Sequence, residues 1–381
     1  MAMRTQRKRW LGLLSLVWMG SLFAQSDVSL RGRIVEAQTR QIVRGLCGVE
    51  FVLSPGAGQD PVTYVCFGVQ SVRSAGGIAL YRYASGGSVQ RVGFLPLGGG
   101  IDDVDFAAGA SSSEAYLALR STESGDPLYL VRFSAPTASL APFGRASLGV
   151  ARVQLERLSG GNYLVVVGTT AGRLRVYGWT PGSPVAEPSD PLSLGTPAVD
   201  LPLFPSAVSA LRVWSVSGTT YVAVGGSDGM VYLFRWDGTG LVPVGKAMYH
   251  PSSVSELVVN GSRLAVGLAN GQVYVWNYTA SSVSHHLTLK EPWAPLAAHS
   301  LCALPGDRLA VATSFVRVYS LADGAQVGTY GGGIWGDYLN DYYWWRWQFP
   351  AYLWQPYFYR LERVRVLPAI GAGSYFVITA P

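Results

Sequence analysis

Charge is scarce in this chain: of its 381 residues only 14% are Asp, Glu, Lys or Arg. Lysine is nearly missing, with Lys246 and Lys290 alone after residue 24, so arginine carries the positive charge. Four histidines and three cysteines leave little material for a metal centre, and no Cys/His spacing resembles a zinc site. Long helix-period runs of Ala, Glu, Lys and Leu do not occur, which excludes a helical bundle. No nucleophile elbow, phosphate-binding glycine loop or metalloprotease motif is found, so the sequence offers no catalytic motif.

The first 24 residues read separately. Arg4, Arg7, Lys8 and Arg9 form a basic head, Leu11 to Phe23 an apolar stretch, and Ser21 to Ala24 a region of small residues suited to cleavage. That pattern predicts a secretory signal peptide, and hence a secreted, periplasmic or cell-surface protein. The apolar stretch falls short of the roughly 20 residues a membrane-spanning helix needs. Without this segment 25 Lys and Arg face 23 Asp and Glu, a net charge of +2 instead of +6. The apparent basicity is therefore a targeting signal, and nothing suggests a nucleic-acid partner.

What the chain has is glycine (46 residues), aromatics (12%) and a repeated apolar strand. It recurs as TYVCFGV at 63 to 69, AYLALR at 115 to 120, YLVVVG at 163 to 168, YVAVGG at 221 to 226, RLAVGL at 263 to 268, RLAVAT at 308 to 313 and YFVITA at 375 to 380. Each of the first six is followed by a turn and an alternating strand such as RLRVYGW or MVYLFRW, and each has another apolar stretch ahead of it. The turns carry residues that tolerate a positive φ: Ala171-Gly172, Asp228-Gly229, Asn270-Gly271. The unit is a four-stranded meander, and meanders repeated around an axis are propeller blades.

The seventh copy reaches Pro381 with its third and fourth strands still lacking. Val28 to Ala37 and Arg40 to Gly45 alternate like strands and can fill that place, closing the ring and removing exposed edges. The expected fold is thus all-β: a seven-bladed β-propeller over residues 25 to 381, with the N- and C-terminal strands sharing the last blade. The alternative is an open or six-bladed ring.

Residues 222 to 277 resemble WD40-type repeats. VAVGGSDGMVYLFRWDGTG has the tight Asp228-Gly229 turn and Trp236-Asp237 after its third strand, and His250 precedes the next unit as the family's Gly-His does. Tyr249 stands where the family has glycine, and Asn270 and Asn277 stand where it has aspartate. The resemblance, shared with quinoprotein-like propellers, implies a scaffold for macromolecular interaction and no inherited catalytic residues.

Several residues are candidates for function. The segment 334 to 360, an insertion between the sixth and seventh units, holds five Trp, six Tyr and two Phe. Trp335, Tyr342, Tyr343, Trp344, Trp345, Trp347, Trp354 and Tyr357, with Trp293 in another connection, either pack as a lid, dock a protein or envelope surface, or stack on a glycan. Asp102, Asp103 and Asp105 read as a connection between the first two blades, either a solvated turn or a weak Ca2+ site. Cys47 and Cys66 flank a hairpin. If its centre lies between Gly56 and Ala57 they stand opposite each other, as a disulfide or as two buried thiols. Asn260 and Asn277 begin glycosylation sequons, and His285-His286 read as a connection.

The function expected from these residues is an exported, non-catalytic binding or scaffold protein. The alternatives are a propeller-type enzyme, such as a quinoprotein-like dehydrogenase or a lactonase, and a glycan-binding lectin.

Overall fold

The computed structural model describes residues 48–54, 62–69, 76–83, 89–289, 300–312, 316–330, 364–368 and 375–379. The expected signal peptide, the residues 28 to 45 expected to complete the seventh blade, Cys47, Trp293 and the aromatic segment 334 to 360 lie outside these residues.

Among the described residues the chain is all-β, with one short 3-10 turn at Ser159–Gly161 and no α-helix. No helix there is long and apolar enough to cross a membrane. The strands form seven antiparallel sheets in chain order. Five have four strands each; the fourth adds a short fifth, Met248–Tyr249, and the seventh shows two, Val364–Pro368 and Tyr375–Thr379. Within a sheet each strand pairs antiparallel with its neighbour in sequence, save Met248–Tyr249, which pairs with Met230–Trp236, so no long crossover is needed.

The repeated apolar segments are the second strands of these sheets, such as Tyr163–Thr169 and Thr219–Gly226. Leu164, Val165, Val166 and Val167 are all fully buried, which is why these segments read as unbroken apolar runs: both faces of the strand are covered. Core clusters lie between consecutive sheets. Phe51 and Tyr64 of the first sheet pack with Tyr129 and Phe133 of the second, Val166 and Val176 of the third with Val213 and Val222 of the fourth, and Val258 and Val275 of the fifth with Leu301 and Leu309 of the sixth.

The first strands are Gly48–Leu53, Ile101–Ala108, Val150–Arg157, Val208–Val216, Val254–Asn260, Ser300–Leu304 and Val364–Pro368. Each is an edge of its own sheet and lies against the first strand of the next. Val364–Pro368 also lies against Gly48–Leu53, so the order of neighbours is cyclic.

Two turns show why glycine is needed. Gly172 has φ +73° and a Cβ there would stand 2.1 Å from the Phe204 carbonyl oxygen; Gly229 has φ +82° and its Cβ would stand 2.3 Å from that of His250. At both, the chain leaving one sheet for the next passes close under the turn. The 180 to 198 segment leaves the third sheet and returns to the outer strand of the second, Ser139–Ser147. There Arg145 donates its amide to the Asp190 carbonyl and accepts from the Leu192 amide. That edge is thereby covered.

The hairpin carrying Cys66 differs from expectation. Its register pairs Val49 with Cys66, two residues along from the register that sets Cys47 opposite. The turn between the strands is irregular in composition, so its centre is not readable from residue types.

Candidate functional site

The first strands of four consecutive sheets share an irregularity. In the second to fifth sheets the pairing with the second strand skips one residue near the start of the first: Asp102, Ala151, Ser209 and Ser255. Such a bulge re-aims the side chains that follow it. In consequence Asp105, Gln154, Arg212 and Val258 occupy corresponding places, three residues past the bulge, and Glu156, Trp214 and Asn260 stand two residues further along the same face of their strands.

There they meet a common problem. A first strand has no partner on one side, so every second amide points to an open edge, and a buried amide left unpaired costs about 1–3 kcal/mol. The preceding sheet supplies acceptors. Asp103 Oδ2 takes the Val153 amide at 2.9 Å, Asp105 Oδ2 the Leu155 amide at 2.8 Å and Gln154 Oε1 the Val213 amide at 3.3 Å. At the fifth-to-sixth junction the polarity is reversed, with Asn260 Nδ2 donating to the Leu304 and Arg308 carbonyls. That amide is engaged within the fold, which argues against glycosylation there.

The three aspartates are therefore placed differently from expectation. They lie within the strand Ile101–Ala108, not in a connection, and they part company. Asp102, on the bulge, pairs with Arg120 at 2.8 Å, while Asp103 and Asp105 reach the third sheet. Successive strand residues point to opposite faces, so the three carboxylates do not converge. Among the described residues no group of three or more His, Cys, Asp or Glu side chains is gathered to hold a metal. Asp is a poor strand former, which is why the sequence read as a turn.

The electrostatics of this row are unusual at two acids. Asp105 is crowded by protein on every side although part of its surface stays open to solvent. Its carboxyl is pushed up to about 7, chiefly by loss of hydration, against the pull of Arg212 and of the Leu155 and Phe106 amides. Glu156 is likewise raised by burial, opposed by a hydrogen bond from Ser215 and by Arg212. Gln154, Glu156 and Arg212 escaped the sequence reading. The signal available was polar residues alternating through otherwise apolar strands, ARVQLER and SALRVW.

At the fourth-to-fifth junction aromatic side chains do the work. Trp214 stacks on Tyr221, centroids 5.5 Å apart, and donates from Nε1 to the Tyr278 hydroxyl at 2.9 Å, which donates in turn to the Gly261 carbonyl. His250 bridges the same two sheets: its Nδ1 lies 2.9 Å from the Gly229 carbonyl and its Nε2 accepts from Trp276 Nε1 at 3.1 Å. That pairing requires the neutral ring with the proton on Nδ1, and burial, the largest influence, lowers its pKa accordingly. Asp228 and Asn270 each accept the amide two residues on, so asparagine performs the same local turn role as aspartate. Asp237 binds the Thr239 and Gly240 amides. His285 and His286 lie in the strand Val283–Leu289, not in a connection.

Where the first strands of the first three sheets end, a depression of about 370 Å³ is lined by Leu53, Ser54, Ala108, Ser111 and Arg157 among others.

No protein-family model and no curated protein matches this chain. Among solved structures it is similar to the crystal structure of the computationally designed Ika8 protein, at 16% sequence identity over 81% of this chain and 90% of that one, with a TM-score of 0.46.

Proposed function

We propose that the chain is an exported seven-bladed β-propeller that serves as a non-catalytic binding or scaffold protein. The cyclic neighbour order of the seven first strands carries this reading. A closed ring of sheets, each burying a face against the next, is a rigid platform whose polar interior groups are spent on joining blades. Asp103, Asp105, Gln154 and Asn260 all act in that way, as acceptors or donors for neighbouring backbone. On this reading the residues 28 to 45 complete the seventh blade and the N-terminal 24 residues direct export.

The partner is a protein or another component of the cell envelope, held by the aromatic segment 334 to 360. Trp and Tyr combine a large apolar area with a hydrogen-bonding tip, which suits them to such contacts. To test it, residues 334 to 359 are replaced by a short Gly/Ser linker and the exported protein is crosslinked in intact cells. The expected variant melts within about 2 °C of wild type, as a surface change allows, and loses its crosslinked envelope partners. Unchanged crosslinks would end the binding reading.

A further inference from the structure

We propose that a groove at the outer edge of the fourth sheet binds a small amphiphilic carboxylate, an organic acid with a short aliphatic tail, between Lys246 and an apolar lining. The groove exists because the outer strand of this sheet is broken. Leu241–Pro243 and Met248–Tyr249 both pair with the third strand Met230–Trp236, one at Phe234 to Trp236 and the other at Met230 and Val231. Tyr232 and Leu233, between these two stretches, have no strand residue opposite them on that side. The intervening residues Val244 to Ala247 make one bond back to the strand, from the Val244 amide to the Leu233 carbonyl at 2.8 Å. Gly245 then leans on the fifth sheet: its φ is +67° and a Cβ there would stand 2.9 Å from the Val283 side chain, so glycine is needed for the chain to bow outward.

The bow leaves a depression of about 300 Å³, lined by Leu201, Leu203, Phe234 and Val244 and edged by the exposed Lys246 and Ala247. An apolar concavity of this size with one polar group to orient the guest has the composition of a small-molecule site.

Charge decides what kind of molecule fits. Lysine is nearly missing from this chain, yet one of the two lysines after residue 24 stands here. Its ammonium makes no hydrogen bond or ion pair among the described residues, which include every strand around the groove. The acids of the adjoining segments are already engaged: Asp200, beside Leu201, pairs with Arg173 and Arg175, and Asp237 accepts the Thr239 and Gly240 amides. The groove has no acid in its own lining. A cation left without a counter-ion beside uncovered apolar surface is complementary to a guest with one negative charge and an apolar body.

The full chain is titrated calorimetrically with octanoate, hexanoate and octanol. Octanoate should bind about tenfold more tightly than hexanoate, the effect of two further methylenes leaving water. Lys246→Gln should weaken octanoate about threefold to fivefold, the range for an ion pair at a surface. Ala247→Trp, which sets an indole at the opening, should abolish binding, and Arg157→Gln, which removes another exposed cation from the inner edge of the third sheet, should leave it unchanged. Lys246 and Ala247 are both exposed, so both variants should melt within about 2 °C of wild type. No binding of octanoate overturns the site. Equal affinities for octanoate and hexanoate overturn the apolar contact, and octanol binding as tightly as octanoate, or Lys246→Gln binding as wild type does, overturns the choice of a carboxylate. Binding that survives Ala247→Trp, or that falls as far in Arg157→Gln as in Lys246→Gln, overturns the groove as its location.

Discussion

Where the second and third sheets meet, the carboxylates of Asp103 and Asp105 reach across to the Val153 and Leu155 amides; where the fourth and fifth meet, Trp214, Tyr221 and Tyr278 pack ring on ring and His250 links a turn to Trp276. Both junctions fasten an edge strand to its neighbour. The first does so with acceptors whose charge costs hydration when buried, the second with neutral donors and apolar area. Their responses to pH are opposite, because Asp105 is raised toward neutrality while His250 is lowered below its ordinary range. A rise in pH loosens the first and a fall loosens the second. The fold thus places these two proton-sensitive contacts two junctions apart, with opposite signs.

Substitutions at the two junctions can break this contrast. The largest effect is expected for Trp214→Ala, which removes a ring stacked on Tyr221 and edge-on to Tyr278 and costs about 3 kcal/mol, the low end for a large aromatic because the indole is only half-buried. Denaturant unfolding measures it, and a loss below about 1 kcal/mol would mean that the aromatic junction contributes mainly geometry.

Next is Asp103→Ala, which strips the acceptor from the buried Val153 amide and should cost about 2 kcal/mol. Asp103→Asn keeps an acceptor and should recover most of it. If Asn is as harmful as Ala, charge and not hydrogen bonding holds this junction.

The smallest effect is expected for His250→Gln, about 1 kcal/mol at pH 7.5 from poorer geometry toward Gly229 and Trp276. The wild-type ring is neutral in the fold but gains a proton in the unfolded chain below 6.5, so its contribution is lost as pH falls. The gap between wild type and variant should narrow from pH 7.5 to 5. A gap that widens toward acid would show that the imidazole accepts its proton within the fold.

Much of the sheet structure was legible because it is local. Second strands such as YLVVVG are covered on both faces and read as apolar runs, and turns such as Asp228-Gly229 need a residue at home with positive φ. The candidate site was legible only in part. Asp103 and Asp105 stand out as acids but read as a connection, since three aspartates in four residues have the composition of a turn. Gln154 and Arg212 looked like ordinary alternation. Cys66 stands opposite Val49 and not Cys47, because the composition of the intervening residues does not announce the hairpin's centre.

By itself the sequence determined that the chain is all-β, that it is built of repeated antiparallel meanders, and where their second and third strands run. These follow from hydrophobic periodicity and turn chemistry within some tens of residues. Only the tertiary structure decided which polar side chains join one sheet to the next, and that burial pushes the Asp105 carboxyl up toward neutrality. The reason is physical. An edge amide's need for an acceptor, and the hydration a carboxylate loses, depend on a neighbouring sheet some 50 residues away, as Asp103 to Val153 and Asp105 to Leu155 illustrate, and no local pattern encodes that neighbour.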